Sequence, residues 1–261
     1  MEAAAGRIDL WCTFLGEVEA ALLPRYRALL CAPELERMER FHFAPDRHRD
    51  LVARALVRTV LSRYAPLPPS QWRFSADASG RPRIVNPPAG LELDFNLSHS
   101  AEMVVLAVSD RAVGVDVEHI ARDSDIDRLD RCFSATERAG LLALAPPGRR
   151  RRFFELWTLK ESYLKARGVG LRLPLDAFAF GFPGERGLRL SFAPPIEDCP
   201  RRWRLRQFTP RPDYLVSVCG ERSERPGPIS VYELVPLAWQ RVLEVDFLRS
   251  SDEGPPPGHG P

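Results

Sequence analysis

Hydrophobic and polar positions follow two different periods along this chain, and each period predicts a type of element. Apolar residues recur at helical spacing in 46–64 and in 150–166, so both stretches predict amphipathic helices, and 24–41 is a shorter helical stretch. Short apolar runs bounded by glycine, proline or acidic turns predict strands. These runs are 8–14, 91–97, 103–108, 112–117, 178–182, 188–192, 203–208 and 214–218.

The order of the predicted elements repeats. In each half of the chain a helix is followed by strands and a closing hairpin, although the halves share negligible sequence identity. This order predicts an α+β fold of two pseudo-repeated halves, residues 1–112 and 113–249. The proline- and glycine-rich segment 250–261 is predicted to be a disordered tail.

Composition narrows the class of protein. A net charge of +2 does not indicate a nucleic-acid binder, and no apolar run approaches the roughly 20 residues of a membrane span. The five cysteines lack the spacing of a zinc site, and the amino terminus lacks the features of a signal peptide. A cytoplasmic, reducing location is therefore expected.

The distribution of lysine is unusual. Of 37 basic residues only Lys160 and Lys165 are lysines, and they lie five residues apart. Because an ammonium group is a compact point charge and a guanidinium is a planar fork, the two are not equivalent at a phosphate site. Chance is the alternative explanation.

Two acidic residues end a predicted strand. Asp116 and Glu118 are two positions apart in Gly114-Val115-Asp116-Val117-Glu118, so the alternation of a strand places both carboxylates on one face, with Gly114. Such a pair suits Mg²⁺ or Mn²⁺, since these ions take carboxylates together with phosphate oxygens and water. Two unrelated acids at a solvated strand end would give the same pattern.

Further candidate residues surround this pair in the sequence. Glu161 and Lys165 are one turn apart on a predicted helix. Glu161 would be a metal ligand or general base and Lys165 a phosphate contact beside it, or the two would form an exposed salt pair. Phe95–Ser100 is predicted to form a tight turn whose Ser98 and His99 would bind phosphate or ribose, or serve only the turn. Arginines that would converge on an anionic ligand are Arg37, Arg47, Arg49, Arg54 and Arg81.

The order and spacing of three motifs are more specific than any single residue. Asn96–Ser100, Gly114–Glu118 and Trp157–Lys165 together resemble the 4′-phosphopantetheinyl transferases of the long, surfactin-synthetase-activating type, and the likeness extends from about Glu34 to Val218. It implies the 4′-phosphopantetheinyl transferase fold, with two halves related by a pseudo-twofold axis and the active site between them. It also implies a monomer, because the short members of the superfamily are single halves that oligomerise.

The resemblance further implies a reaction and its residues. Coenzyme A would donate 4′-phosphopantetheine to a serine of an acyl or peptidyl carrier protein, releasing adenosine 3′,5′-bisphosphate. Asp116, Glu118 and Glu161 match the magnesium ligands, and Lys165 matches the pyrophosphate contact. Glu161 is the candidate general base, and a metal-bound water held by Glu118 is the alternative. Coenzyme A contacts are expected at Arg37, Arg49, Arg81, Ser98, His99, Asp116 and Lys165.

Two departures and two alternatives accompany this interpretation. Arg81 stands where other members carry lysine, and Glu34 stands where a basic residue may assist the 3′-phosphate. A magnesium-dependent phosphohydrolase would share the acidic residues, and a non-catalytic module would bind only nucleotide or carrier. Segment 121–144 is the expected docking surface for an acidic carrier protein, with Phe133 and a helix start at Ser134-Ala135-Thr136-Glu137. Arg122, Arg128 and Arg131 would steer the carrier there.

Overall fold

The chain folds into two compact units, each built from a sheet with helices packed on it. The structure is a computed structural model and describes residues 6–77, 80–121, 132–170 and 173–252. The first unit comprises Met1–Arg111 with Ser223–Glu244, and the second comprises Ala112–Arg222 with Val245–Pro261. The α+β class predicted from the element order is confirmed, whereas the pseudo-twofold axis stays a prediction.

The sheet of the first unit joins strands from distant parts of the chain. The strand β1 (Ile8–Phe14) lies between β5 (Met103–Ser109), which is antiparallel to it, and β11 (Ile229–Val235), which is parallel to it. With β4 (Asp94–Ser100) and β12 (Trp239–Val242) the order is β12-β11-β1-β5-β4. Ser223–Glu244, which the prediction assigns to the second half, therefore belong to the first unit. No local sequence signal specifies that β11 pairs with a strand more than 200 residues earlier.

The helices of the first unit cover this sheet. The stretch predicted as one helix over 24–41 is two helices. The second of them begins at Ala32, after the Cys31 N-cap, and has Pro33 in its first turn. The third helix buries its apolar face in the core together with Trp11 and Val104. The bounds of these elements, with those of the small hairpin that follows them, are α1 (Leu23–Arg27), α2 (Ala32–Glu39), α3 (Ala44–Leu61), β2 (Phe74–Ala76) and β3 (Pro82–Ile84).

The second unit has an antiparallel four-stranded sheet beneath one long helix. Its strands follow the order β13-β9-β10-β6, and a separate hairpin, β7–β8, lies outside this sheet. No described helix is long and apolar enough to cross a membrane. The bounds are β6 (Val113–His119), α4 (Ala135–Leu142), α5 (Pro146–Arg167), β7 (Phe178–Gly181), β8 (Arg189–Phe192), β9 (Trp203–Phe208), β10 (Tyr214–Glu221) and β13 (Phe247–Ser250).

The predicted tail begins later than expected. Ser250 is buried at the end of β13. Asp252 forms ion pairs with arginines of β9 and of the segment after β10, at 3.1, 2.6 and 2.8 Å from Arg204, Arg206 and Arg222. The start at 250 is therefore wrong, because polar residues that looked like a tail complete a sheet edge. The rest of the predicted tail, 253–261, lies outside the described residues.

The main chain of α5 approaches β6 closely at Gly114. A Cβ atom at this glycine would lie 2.1 Å from the Ser162 carbonyl oxygen and 2.3 Å from the Ala166 nitrogen. Both atoms belong to the helix main chain, which has no rotamer that could move them away. Gly114 therefore allows the helix to lie directly against the strand that carries Asp116 and Glu118.

We expect Gly114→Ala to destabilise the protein by about 3 kcal/mol, because the added methyl group must push the helix off the strand. Urea unfolding measures this loss. Gly140→Ala is the matched control, since nothing lies within 4 Å of the added Cβ atom. Alanine in helix α4 should be neutral or stabilising by up to about 1 kcal/mol. Equal stability of the two variants would contradict the close contact.

Candidate functional site

The two acids predicted to share a strand face do so in the second unit. Asp116 and Glu118 lie on β6, only 5 % and 8 % exposed. They share the face of the strand that Gly114 presents to α5. From that helix Lys165 donates to Asp116 Oδ1 at 2.6 Å and to the Val115 carbonyl at 3.2 Å. The ammonium group thus joins the helix to the acidic strand.

Glu161 lies one turn before Lys165 on the same helix. Burial raises the pKa of the Glu161 carboxyl, and the carboxylate of Asp116 raises it further. Lys165 lowers this pKa and Glu118 raises it, so all three side chains are near enough to act on Glu161 through their charge. The structure brings these four predicted residues together, whereas their chemical roles stay predictions.

The carboxylates of Asp116, Glu118 and Glu161 offer oxygen donors to a divalent cation. Among the described residues, no three His, Cys, Asp or Glu side chains stand close enough together to hold a metal ion as they are. Mg²⁺ commonly binds through one or two carboxylates and keeps several waters, so a closed protein cage is not required. Oxygen donors are its preferred ligands, and a cation would offset the carboxylate repulsion that raises the pKa of Glu161. The donor set therefore fits magnesium.

Lys160, for which the sequence indicated no definite task, is fully buried and structural. Its ammonium group forms an ion pair with Glu137 at 2.9 Å and donates to the carbonyls of Leu175 and Phe178 at 2.7 and 2.6 Å. All three N–H donors are thus used. A planar guanidinium would not fit these three converging acceptors, which explains lysine in a chain that otherwise uses arginine.

Glu137 is the second member of this buried pair. It occupies the third position of α4 in the predicted helix start, where it accepts from the Ser134 N–H at 2.8 Å in a capping box. Its other oxygen accepts from the Phe180 N–H at 2.9 Å. One carboxylate therefore joins α4, α5 and β7. The capping motif was visible in the sequence, but its partner Lys160 was not.

The segment with Ser98 and His99 is not the predicted turn. Both residues lie on β4, where Ser98 is buried and His99 is exposed. The turn is the next two residues, Ala101 and Glu102, and Ala101 takes a positive φ of 48°. The serine and histidine were mistaken for turn residues because polar side chains are common in turns. Adjacent positions on a strand point to opposite faces, so Ser98 and His99 lie on opposite sides of β4.

The arginines expected to contact coenzyme A lie on three elements of the first unit. Arg37 is exposed in the last turn of α2, and Arg49 of α3 forms an ion pair with Asp46. Arg81 is buried just before β3, where it donates to Asp94 at 2.7 Å and to the Phe95 carbonyl at 2.8 Å.

The departure at Glu34 has a structural explanation. Its carboxylate accepts from the Cys31 N–H at 3.0 Å and binds Arg54 at 3.0 Å, and it also pairs with the buried Arg58. Burial alone would raise the pKa of Glu34, but the Cys31 N–H and Arg58 hold it below its ordinary value. Glu34 therefore caps the amino-terminal end of α2 and joins α2 to α3. Arg54, another predicted anion contact, is engaged in this pairing.

The predicted carrier-docking segment can be assessed only in part. The helix start at Ser134 is confirmed, and Phe133 is buried rather than available on a surface. Arg122, Arg128 and Arg131 lie outside the described residues.

Two sequence profiles match most of the chain. The profile of the 4′-phosphopantetheinyl transferase superfamily matches residues 112–219. The profile of the N-terminal part of 4′-phosphopantetheinyl transferase matches residues 22–111. The two matches meet where the first unit passes into the second.

Relatives of similar length carry the same description. A 4′-phosphopantetheinyl transferase of Bacillus subtilis is 32% identical over 195 residues, 75% of this chain and 84% of the relative. The 4′-phosphopantetheinyl transferase Sfp of Bacillus subtilis (strain 168) is 30% identical, with 79% and 89% covered. The 4′-phosphopantetheinyl transferase HetI of a Nostoc species is 30% identical, with 81% and 86% covered.

We expect the buried pair in the second unit to be strongly coupled. Lys160→Met should lower the free energy of unfolding by about 3–5 kcal/mol, because it leaves the carboxylate of Glu137 buried without its cation. Glu137→Gln should cost a similar amount, and the double variant less than the sum. Removing the exposed cation of the Arg27–Glu39 pair, as Arg27→Met, should cost at most about 1 kcal/mol. Urea unfolding that gave additive losses would contradict the coupling.

The raised pKa of Glu161 predicts a pH-dependent stability. The folded state holds this proton more tightly than the unfolded chain, so Glu161 lowers the free energy of unfolding as pH rises above the ordinary glutamate pKa of about 4.3. In EDTA, Glu161→Gln should become more stable than the original protein as pH rises through this range. Urea unfolding across the pH range measures the difference. A gain that is independent of pH would contradict the prediction, and Glu221→Gln is the control.

Proposed function

Since the chain belongs to the 4′-phosphopantetheinyl transferase superfamily, we propose that it moves 4′-phosphopantetheine from coenzyme A to a serine of an acyl or peptidyl carrier protein with the help of Mg²⁺. The observation that carries the proposal is the assembly of Asp116, Glu118, Glu161 and Lys165 on facing surfaces of β6 and α5. Three acids and one ammonium group in a half-buried setting suit a reaction on a charged phosphoanhydride.

Asp116, Glu118 and Glu161 are the proposed magnesium ligands, with Mn²⁺ as a substitute. When bound, the ion supplies positive charge that offsets the negative charge of the pyrophosphate. The carboxylates would hold it from α5 and β6, which are packed against each other at Gly114. Positioning by rigid elements matters here because phosphoryl transfer needs little covalent help from the protein.

Lys165 is the proposed pyrophosphate contact. The Lys165 side chain is 27 % exposed, and its ammonium group is held by Asp116 and the Val115 carbonyl. From this place it would neutralise charge that develops on the leaving phosphate. A lysine that shares its donors between a carboxylate and a phosphate keeps its position throughout the reaction.

Glu161 is the proposed general base. The serine oxygen of the carrier protein forms a bond to the phosphorus on the pantetheine side, while the bond from this phosphorus to the bridging oxygen breaks. The serine proton passes to Glu161, directly or through one water, and adenosine 3′,5′-bisphosphate leaves. Burial raises the pKa of this carboxyl, which makes it a stronger base than an ordinary glutamate.

The coenzyme A contacts and the cellular setting are proposals of the same kind. Arg37, Arg49, Arg81, Ser98 and His99 are assigned to the donor because they match the motifs of the family, with Arg37 exposed and Arg49 half-buried in the first unit. We propose a monomeric cytoplasmic enzyme whose partners are carrier proteins, with neither nucleic acid nor a membrane. The proposed catalytic residues all belong to the second unit, whose core is residues 113–222 with 245–249.

Intact-mass measurement tests the reaction. The chain is incubated with coenzyme A, MgCl₂ and apo carrier proteins from fatty-acid, polyketide and peptide synthetases. We expect one phosphopantetheine to be added to at least one carrier. Asp116→Asn, Glu161→Gln and Lys165→Met should each slow the transfer by about 100-fold or more. Glu221→Gln, which removes the half-buried carboxylate paired with the exposed Arg202, should leave the rate unchanged.

Three results would refute the assignment. Unchanged carrier masses with all three classes would exclude the transfer. Cleavage of coenzyme A at the same rate with and without carrier would identify a magnesium-dependent phosphohydrolase. Binding of coenzyme A or carrier without either reaction would identify a non-catalytic module.

A further inference from the structure

A row of polar side chains crosses the sheet of the second unit beneath α5. Gln207 of β9 is the register partner of Ser217 of β10, and Ser217 is the register partner of Asp116 of β6. Partners in an antiparallel sheet point to the same face, so all three side chains point towards the helix. Gln207 and Ser217 are 0 % exposed. The next row on this face contains Leu205 and Cys219 and is apolar.

Thr158 of α5 completes this row from above. Its hydroxyl lies 2.7 Å from Ser217 Oγ and donates to the Phe154 carbonyl at 2.9 Å. Since the threonine proton is used within the helix, Ser217 is the donor between the two hydroxyls. The helix is thereby hydrogen-bonded to a strand that neighbours β6.

Gln207 joins the same network from β9. Its Nε2 donates to Ser217 Oγ at 2.9 Å, and it lies 3.0 Å from the Glu155 carbonyl and 3.1 Å from Thr158 Oγ1. A carbonyl oxygen only accepts, so the contact with Glu155 fixes which end of the amide faces the helix. Among the described residues Oε1 of Gln207 has no hydrogen-bond partner.

The position of Thr158 connects this network to the acidic site. Glu161 and Lys165 follow it by three and seven residues, so all three lie on one face of α5. Lys165 is held by Asp116, the residue beside Ser217 in the register. Apolar burial is non-directional and does not fix where a helix stands along its axis. Hydrogen bonds lose their geometry within a few tenths of an ångström, so they do fix it.

We propose that Thr158, Ser217 and Gln207 are positioning residues that set the axial place of α5, so that Glu161 and Lys165 stand opposite Asp116 and Glu118. They act through the helix and touch neither substrate nor metal. This inference rests on the proposed function for its chemical consequence, while the placement itself concerns the fold of the second unit.

Matched substitutions separate positioning from stability. Thr158→Val keeps the shape and removes the hydroxyl, Thr158→Ser restores the hydroxyl, and Ser217→Ala removes its partner. The control is Thr59→Val on α3, since Thr59 is also buried and bonds only to carbonyls of its own helix, Ala55 at 2.7 Å and Leu56 at 3.1 Å. For each variant, urea unfolding, kcat for carrier modification, and the Mg²⁺ concentration for half-maximal rate are measured.

A positioning role predicts that Thr158→Val and Ser217→Ala lower kcat and raise the half-saturating Mg²⁺ concentration, each by about 10-fold. Thr158→Ser should stay close to the original values, and Thr59→Val should lose stability without either change. Loss of stability in Thr158→Val and Ser217→Ala with unchanged kcat and Mg²⁺ dependence would overturn the proposal.

A binding measurement keeps this outcome separate from the proposed function. The melting temperature is recorded with increasing MgCl₂ in the presence of coenzyme A, without carrier protein. If the original chain modifies no carrier, the proposed function fails, and this titration then decides the positioning. Stabilisation of the original chain by Mg²⁺ that is weakened in Thr158→Val but not in Thr59→Val supports it. An equal response of all three proteins, or no response in any, overturns it.

Discussion

The contact between α5 and Gly114 of β6 is the constraint on which the second unit depends. Any side chain at this position would collide with the helix main chain, so only glycine lets helix and strand meet at this distance. Because they meet, Lys165 reaches Asp116, and Glu161 lies within the field of both acids on the strand. The gathering of like charges is unfavourable for the folded state. The Lys165 ammonium group offsets part of this repulsion. A cation bound by the carboxylates would offset more of it.

The two lysines illustrate how one compositional signal has two physical causes. Each ammonium group lies among acceptors that converge on a point, an arrangement that a planar guanidinium satisfies poorly. Lys160 is buried with Glu137 and two carbonyls, and joins three elements of the second unit. Lys165 is partly exposed and joins α5 to the acidic strand. Only the latter can meet a substrate, so rarity of a residue type indicated special geometry rather than function as such.

Local patterns in the sequence predict most elements, and non-local pairing accounts for most of the failures. Helical periodicity located α3 and α5, and strand alternation correctly placed Asp116 and Glu118 on one face, because both follow from neighbouring residues alone. The pairing of β11 with β1 and the use of Ser250 in a sheet edge depend on strands far away in the chain. The polar composition around Ser98 and His99 predicts a turn, whereas pairing with the neighbouring strand β5 places both residues in a strand. Roles of single residues, such as Glu34 as a helix link, need their partners to be seen.

The arginines of the first unit differ in what they can offer an anion. Arg37 is exposed, and Arg49 has one carboxylate partner, which does not exhaust the five donors of a guanidinium. Arg81 is buried, and burial lowers its pKa while Asp94 opposes this effect. Its bonds to Asp94 and to the Phe95 carbonyl hold the beginning of β4, the strand that carries Ser98 and His99. Arg81 at this turn therefore acts first on the strand, since one of its guanidinium nitrogens, Nη2, donates both to the Asp94 carboxylate and to the Phe95 carbonyl. An effect of Arg81 on an anionic ligand would then include the placement of that strand as well as charge.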